Sequence, residues 1–174
     1  MLLLHLMSGL FPEKIRAIYI DHQLQQDSAN WGQFVAEQCL LLNVPCLIEA
    51  VCVETGNLEQ QARLARYQAY SKHLKPNEIL VLAHHQQDQA ETLILRLLSG
   101  AGVQGLSAMR KVDIREQFTL WRPLLDISRE QICQWAEQLD VQNIQDVSNR
   151  LKCTNLLPPT LATSTRLSLR SLRR

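Results

Sequence analysis

Apolar residues along this chain gather in short blocks of two different periods, and the two kinds of block alternate. "IRAIYI" (Ile15 to Ile20) is rich in β-branched residues and predicts a buried strand. "NWGQFVAEQCLLLN" sets Trp31, Phe34, Val35, Cys39 and Leu42 at helical spacing, and Val44-Pro45 stops that helix after Asn43. "CLIEAVCV" (Cys46 to Val53) predicts the next strand. "NLEQQARLARYQAYSKHL" follows as a helix, with Asn57 as N-cap and Gln60 placed to complete a capping box. A strand in "EILVLAHH", a helix from Gln87 to Leu98, a loop "SGAGVQGLSAM" and a strand near "FTLWRPLL" continue the alternation. The last helix begins at Ser128 and carries Ile132, Trp135, Ala136 and Leu139 on one face. The opening "MLLLHLMSGLF" predicts a helix that starts abruptly, with no N-cap residue and no strand before it.

Strands alternating with helices imply an α/β fold: a parallel sheet with helices on both faces. Such sheets bind ligands at the carboxyl ends of their strands. That rule selects Asp21-His22, the Thr55-Gly56-Asn57 turn, His84-His85, and the segment after Arg122-Pro123. After Asn149 the character changes. "RLKCTNLLPPTLATSTRLSLRSLRR" has no acidic residue, a Pro-Pro, many Ser and Thr, and no clean period. Residues 1–149 are therefore expected to form the α/β domain and 150–174 an irregular basic tail.

At 174 residues, 46% hydrophobic and 20% charged, the chain has the size and composition of about one globular domain. A net charge of +1 gives no reason to expect nucleic acid and none to exclude it. The cysteines (Cys39, Cys46, Cys52, Cys133 and Cys153) are odd in number and form no CxxC pair, which predicts reduced thiols and a cytoplasmic protein. His5 interrupts the first apolar run, no basic residue precedes it, and no stretch approaches membrane-spanning length.

The candidate chemistry centres on "LAHHQQDQAET" (Leu82 to Thr92). On a helix from Gln87, Ala90, Leu93, Ile94 and Leu97 form one stripe, with Asp88 and Glu91 on roughly the opposite side. Spacing alone leaves two readings. The acids complement the helix dipole, or they hold magnesium or a cationic substrate at a strand's carboxyl end. Zinc is disfavoured, since no HExxH and no paired cysteines complete a ligand set. A second constellation, Glu59, Arg63, Arg66, Tyr67 and Tyr70, shares a helix face opposite Leu58, Ala62, Ala65 and Ala69. It is either a solvated face with a Glu59–Arg63 pair or a pair of guanidiniums that gather phosphate oxygens. "SGAGVQG" follows a helix and does not lead from strand into helix, so Gly100 reads as a helix C-cap.

"IYIDHQL", "NLEQQARLARYQAY", "LAHHQQDQAETLILRLLSGAGVQGLSAM" and "WRPLLDISREQI", in this order, resemble the N-terminal catalytic domain of the tRNA(Ile)-lysidine synthetases. These are PP-loop (N-type) ATP pyrophosphatases of Rossmann-like fold. The resemblance runs from about Met1 to Asn149. It implies a cytoplasmic ligase that uses ATP and Mg2+ to adenylate the wobble cytidine in the anticodon region of tRNA(Ile). L-lysine then displaces AMP to give lysidine. By position it implies Asp88 and Glu91 as the catalytic, lysine and magnesium site, with Arg122 also at the lysine or tRNA substrate. It places Asp21, His22, Arg63, Arg66, His84 and His85 around ATP, and Gly100 and Gly102 in a loop near the site.

Three departures bear on activity. Gln87 stands where the family often has another aspartate. The family's Ser-Gly-Gly-x-Asp-Ser loop, expected just before "MLLLHLM" together with the first central strand, does not occur in the sequence. "QDVSN" runs into the basic tail where the family continues into a tyrosine- and arginine-bearing segment. The expectation is a lysidine synthetase piece cut at both ends and inactive as given, with a catalytically dead or weakly nucleotide-binding remnant as the alternative. A missing central strand would leave a slot with open edges, which predicts aggregation or filling by partner chains in a homo-oligomer.

Overall fold

The computed structural model of the chain describes residues 1–23, 28–52, 58–100, 102, 107–142 and 161–165. Its elements are α1 (Leu2–Leu10), β1 (Ile15–Asp21), α2 (Ser28–Leu41), β2 (Cys46–Ala50), α3 (Leu58–His73), β3 (Ile79–Leu82), α4 (Gln86–Leu98), β4 (Val112–Ile114), β5 (Thr119–Trp121), α5 (Arg129–Gln138) and β6 (Leu161–Thr165). The sheet order is β2-β1-β6-β3-β5-β4. The pairs β1–β2 and β3–β5 are parallel, whereas β4–β5 forms an antiparallel edge. The short β4 carries too little alternation to stand out in the sequence.

Strand β1 is buried on both faces, as the apolar stretch from Ala17 to Ile20 requires. Ile15, Ala17 and Tyr19 join Ile79 and Val81 under Leu3, Leu4 and Met7 of α1 and Val35 and Cys39 of α2. Ile18, Ile20, Leu80 and Leu82 face the other way, onto Ala69 and Tyr70 of α3. The architecture is α/β, with helices on both faces of the sheet. Helix α2 ends one turn before Pro45. Asn43 adopts a left-handed φ of 53°, and the Val44 N–H donates to the Cys39 carbonyl at 2.8 Å, which satisfies an end carbonyl.

The unexpected feature is β6. Leu161–Thr165 lies within the segment expected to be irregular, yet it occupies the middle of the sheet, antiparallel to both neighbours. Ala162 pairs with Ile18 on one side and Leu82 on the other, and Ser164 with Arg16 and Leu80. Without this strand, β1 and β3 would each present a row of unpaired backbone N–H and C=O groups inside the protein. The chain fills the slot with its own segment, where sequence reasoning expected aggregation or a partner chain. "LATST" is suited to the task, since it has β-branched threonines and no charge, Gly or Pro.

Two other expectations shift. The inward stripe of α3 is Ala62, Arg66, Ala69 and Tyr70, while Leu58 is exposed. Small alanines let the helix approach closely, and Tyr70 packs with Ile18, Ile20, Leu80 and Leu82 on that face of the sheet. The α4 stripe of Leu93, Ile94 and Leu97 is exposed, and none of this helix's residues is buried. Among the described residues no helix is long and apolar enough to cross a membrane.

Below the sheet, Arg16 on β1 clamps the end of α3. Its Nε and Nη2 donate to the two carboxylate oxygens of Glu78 at 3.1 and 2.5 Å, and Nη2 also to the His73 carbonyl. The Lys75 backbone N–H donates to the same carboxylate at 2.8 Å. Burial alone would raise the Glu78 carboxyl, but Arg16 and the Lys75 amide overcome it and hold it below its ordinary range. Its stabilisation is therefore present above the usual carboxylate pKa and fades as pH falls through the lowered one.

Ala162→Pro is expected to remove a ladder donor from a central strand, costing about 2 kcal/mol or more and lowering the melting temperature by roughly 5 °C or more. Thermal melting followed by circular dichroism reads this, and an unchanged melt would place the strand elsewhere. Glu78→Gln, which leaves Arg16 without its counter-charge, should cost about 3 kcal/mol in urea unfolding at pH 7. The difference from the parent protein should shrink in acid.

Candidate functional site

The carboxyl ends of β1 and β3 define one rim of the sheet. β1 delivers Asp21 and His22 there. β3 ends at Leu82, so His84 and His85 follow just before α4 begins at Gln86. Helix α3 runs beside the same rim and contributes Arg63 and Arg66. These side chains came from three separate stretches of sequence, and the structure groups them electrostatically. The His84 ring is depressed to a pKa of about 4 by burial. Asp88 acts against that shift, and Arg122, Arg66 and Arg63 add to it. His22 is likewise pushed down by burial and by Arg66, with Asp21 opposing. Both imidazoles are neutral at pH 7.

Arg66 is the most demanding group. It is 8% exposed, and its Nε and Nη2 are buried without a hydrogen-bond partner among the described residues. Both His22 ring nitrogens and the Tyr70 hydroxyl are buried and unpartnered as well. Burial lowers the Arg66 pKa, Tyr70 and Tyr67 offset this in part, and Arg63 adds to the lowering. A guanidinium stays charged even so. A buried cation with open donors costs several kcal/mol unless an anion meets it. The chemistry of this cluster therefore fits an anionic oxygen ligand. Arg63 is exposed and rests on Tyr67 at 5.2 Å from the ring centre, with Arg115 over the same ring at 4.6 Å. The Glu59 side chain and the Thr55-Gly56-Asn57 turn lie outside the described residues.

At the start of α4 one Asp88 oxygen, Oδ2, accepts the His85 backbone N–H at 2.8 Å. This aspartate thus satisfies one of the open backbone donors at the start of the helix. Glu91 is exposed one turn further on. Gln87 caps a different helix, its Oε1 accepting the Arg129 N–H at the start of α5 at 2.9 Å. Gln89 latches α4 to the β4 side, donating to the Met109 carbonyl at 2.8 Å and accepting its N–H at 2.7 Å.

Arg122 sits differently from the expectation of direct substrate contact. It is 3% exposed, and its Nη1 donates to the Arg110 carbonyl at 2.8 Å. Its Nε donates to His84 Nδ1 at 3.3 Å. Arg122 lies behind His84. Sequence reasoning passed over Gln89, because a glutamine between two acids carries no distinctive signal. Gly100, with a left-handed φ of 71°, ends α4. Gly102 is exposed, and most of the loop around it lies outside the described residues.

A cavity of about 560 Å³ opens at the opposite, amino end of the strands, between Arg16, Cys46, Lys72 and His73. Of the side chains that line it, Arg16 pairs with Glu78, and Lys72 and His73 both contact Glu49. The buried, unpartnered nitrogens of Arg66 and His22 are at the rim. Among the described residues no three His, Cys, Asp or Glu side chains group closely enough to ligate a metal alone. The cysteines described (Cys39, Cys46, Cys52 and Cys133) are free thiols.

Over 149 residues the chain is 58% identical to the tRNA(Ile)-lysidine synthase of Acinetobacter baylyi, covering 86% of this chain and 32% of that protein. It is 43% identical over 148 residues to the tRNA(Ile)-lysidine synthase of Actinobacillus pleuropneumoniae serotype 3, covering 84% and 35% respectively. The same enzyme of Haemophilus ducreyi is 44% identical over 137 residues, covering 78% and 32%. The chain thus spans about a third of the length of these relatives. Residues 1–154 match the PP-loop domain, more than half of the sequence, and the chain belongs to that family.

Proposed function

We propose that these residues form part of a tRNA(Ile)-lysidine synthase site, the part that neutralises nucleotide phosphate and orients the lysine acceptor. One observation carries the reading: Arg66 is buried with open donors beside two neutral histidines, at the rim where Arg63 and Asp88 also meet. Arg63 and Arg66 counter the α-phosphate charge while the C2 oxygen of the wobble cytidine attacks ATP and pyrophosphate leaves. The lysine ε-amine then attacks C2, loses a proton, and AMP departs. Asp88 and Glu91 orient the ammonium group before it reacts. They would also hold magnesium together with phosphate oxygens, where the ion supplies charge neutralisation. Asp21, His22, His84 and His85 line the nucleotide side. The partners are tRNA(Ile), L-lysine and ATP, in the cytoplasm.

The 174 residues contain no Ser-Gly-Gly-x-Asp-Ser run. The place between β1 and β3 is taken by β6, which runs against them, so its start and not its carboxyl end meets the ligand rim. A strand in that direction cannot lead into a rim loop whose amides cradle pyrophosphate. These residues by themselves are therefore a partial site: they bind nucleotide weakly and do not complete the reaction.

Calorimetry of this chain with ATP and magnesium should show weak binding, reduced about tenfold by Arg63→Ala, the loss of one charge-assisted contact. Asp88→Ala should weaken it as well, and an absence of binding in the parent protein would leave a dead remnant. Incubated with ATP, magnesium, lysine and tRNA(Ile), the 174-residue chain should form no lysidine. Turnover at rates typical of enzymes, about 1 s⁻¹ or faster, would overturn the partial-site reading.

A further inference from the structure

Arg122 is buried, and two of its guanidinium nitrogens are engaged inside the protein. Its Nη1 is fixed on the Arg110 carbonyl at 2.8 Å, and its backbone N–H on the Lys111 carbonyl at 2.8 Å. The Arg110 segment is in turn tied to α4 through the paired contacts of Gln89 with Met109. The guanidinium is thus anchored on one side, and its Nε–H is aimed at His84 Nδ1 at 3.3 Å.

We propose that Arg122 is a positioning residue that fixes the His84 imidazole with its proton on Nε2, leaving Nε2–H as a neutral donor for an anionic oxygen of the ligand. A guanidinium cannot give up its proton, so Nδ1 must supply the lone pair and the ring proton must reside on Nε2. The two ring nitrogens point in different directions, so fixing Nδ1 on Arg122 turns Nε2–H away from it. Nε2 has no protein acceptor among the described residues. The surrounding cations and burial keep the ring uncharged, in keeping with a donor role. The identity of the ligand oxygen rests on the nucleotide-site reading, whereas the tautomer does not.

Nitrogen-15 NMR of the histidine side chains reads the tautomer directly, with His84 assigned by the signal lost in His84→Gln. At pH 7 the parent protein should show His84 protonated on Nε2 only, with a coupling across the hydrogen bond to Arg122 Nε. Arg122→Gln sets an amide nitrogen where Nε stood and should retain that signature without the charge. Arg122→Met offers no donor and should yield a mixture of both tautomers. A parent His84 protonated on Nδ1 or on both nitrogens would overturn the proposal, as would a methionine variant that keeps the single Nε2 form. Should the methionine variant fail to fold, the coupling in the parent protein decides, and its absence counts against the proposal. Failure of ATP to bind while the Nε2 form persists would sink the nucleotide reading and leave Arg122's role standing.

Discussion

Backbone pairing through Leu161–Thr165 is what makes a single sheet out of two pieces. On one side stand β2 and β1, on the other β3, β5 and β4, and β6 is the strand that bonds to both. The cores above and below depend on that bridge. Ile15, Ala17 and Tyr19 of β1 share one cluster with Ile79 and Val81 of β3, and Ile18 and Ile20 share the other with Leu80 and Leu82. Those contacts span a position one strand wide, about 4.8 Å to each side. Hydrogen-bond demand at two buried edges is large and non-specific as to direction. An antiparallel strand meets it as well as a parallel one.

Direction matters to chemistry more than to stability. In a parallel α/β sheet the carboxyl ends of the strands lead into the loops that grip a ligand, and Asp21-His22 and His84-His85 stand at those ends of β1 and β3. A strand of reversed sense fills the core and breaks that logic at the midpoint. Among the described residues, β1 and β3 bring Asp21, His22, His84 and His85 to the rim, whereas β6 brings its start there.

The rim cluster shows how the fold turns ordinary residues into demanding ones. Arg66 belongs to an inward stripe with Ala62, Ala69 and Tyr70, so packing has carried a charge into the protein and left its donors open. Arg122 is buried too, but its Nε and Nη1 have partners, His84 and the Arg110 carbonyl. Asp88 caps α4 with one of its two oxygens.

Much of this was legible in the chain itself. Short β-branched, mostly apolar runs such as "IRAIYI" suit a strand covered on both faces, and Ser128 marks the start of the last helix. "AHHQQDQAET" placed histidines and acids at a strand-to-helix junction because that order is local. What the sequence left open were matters of distance across the fold. Nothing local says that Arg122 lies behind His84, that α3 is rotated so that Arg66 faces inward, or that Gln87 caps α5. Least legible was β6. A five-residue run of Leu, Ala, Thr and Ser has no period strong enough to announce a strand, and it becomes one only where two open edges wait at the right separation.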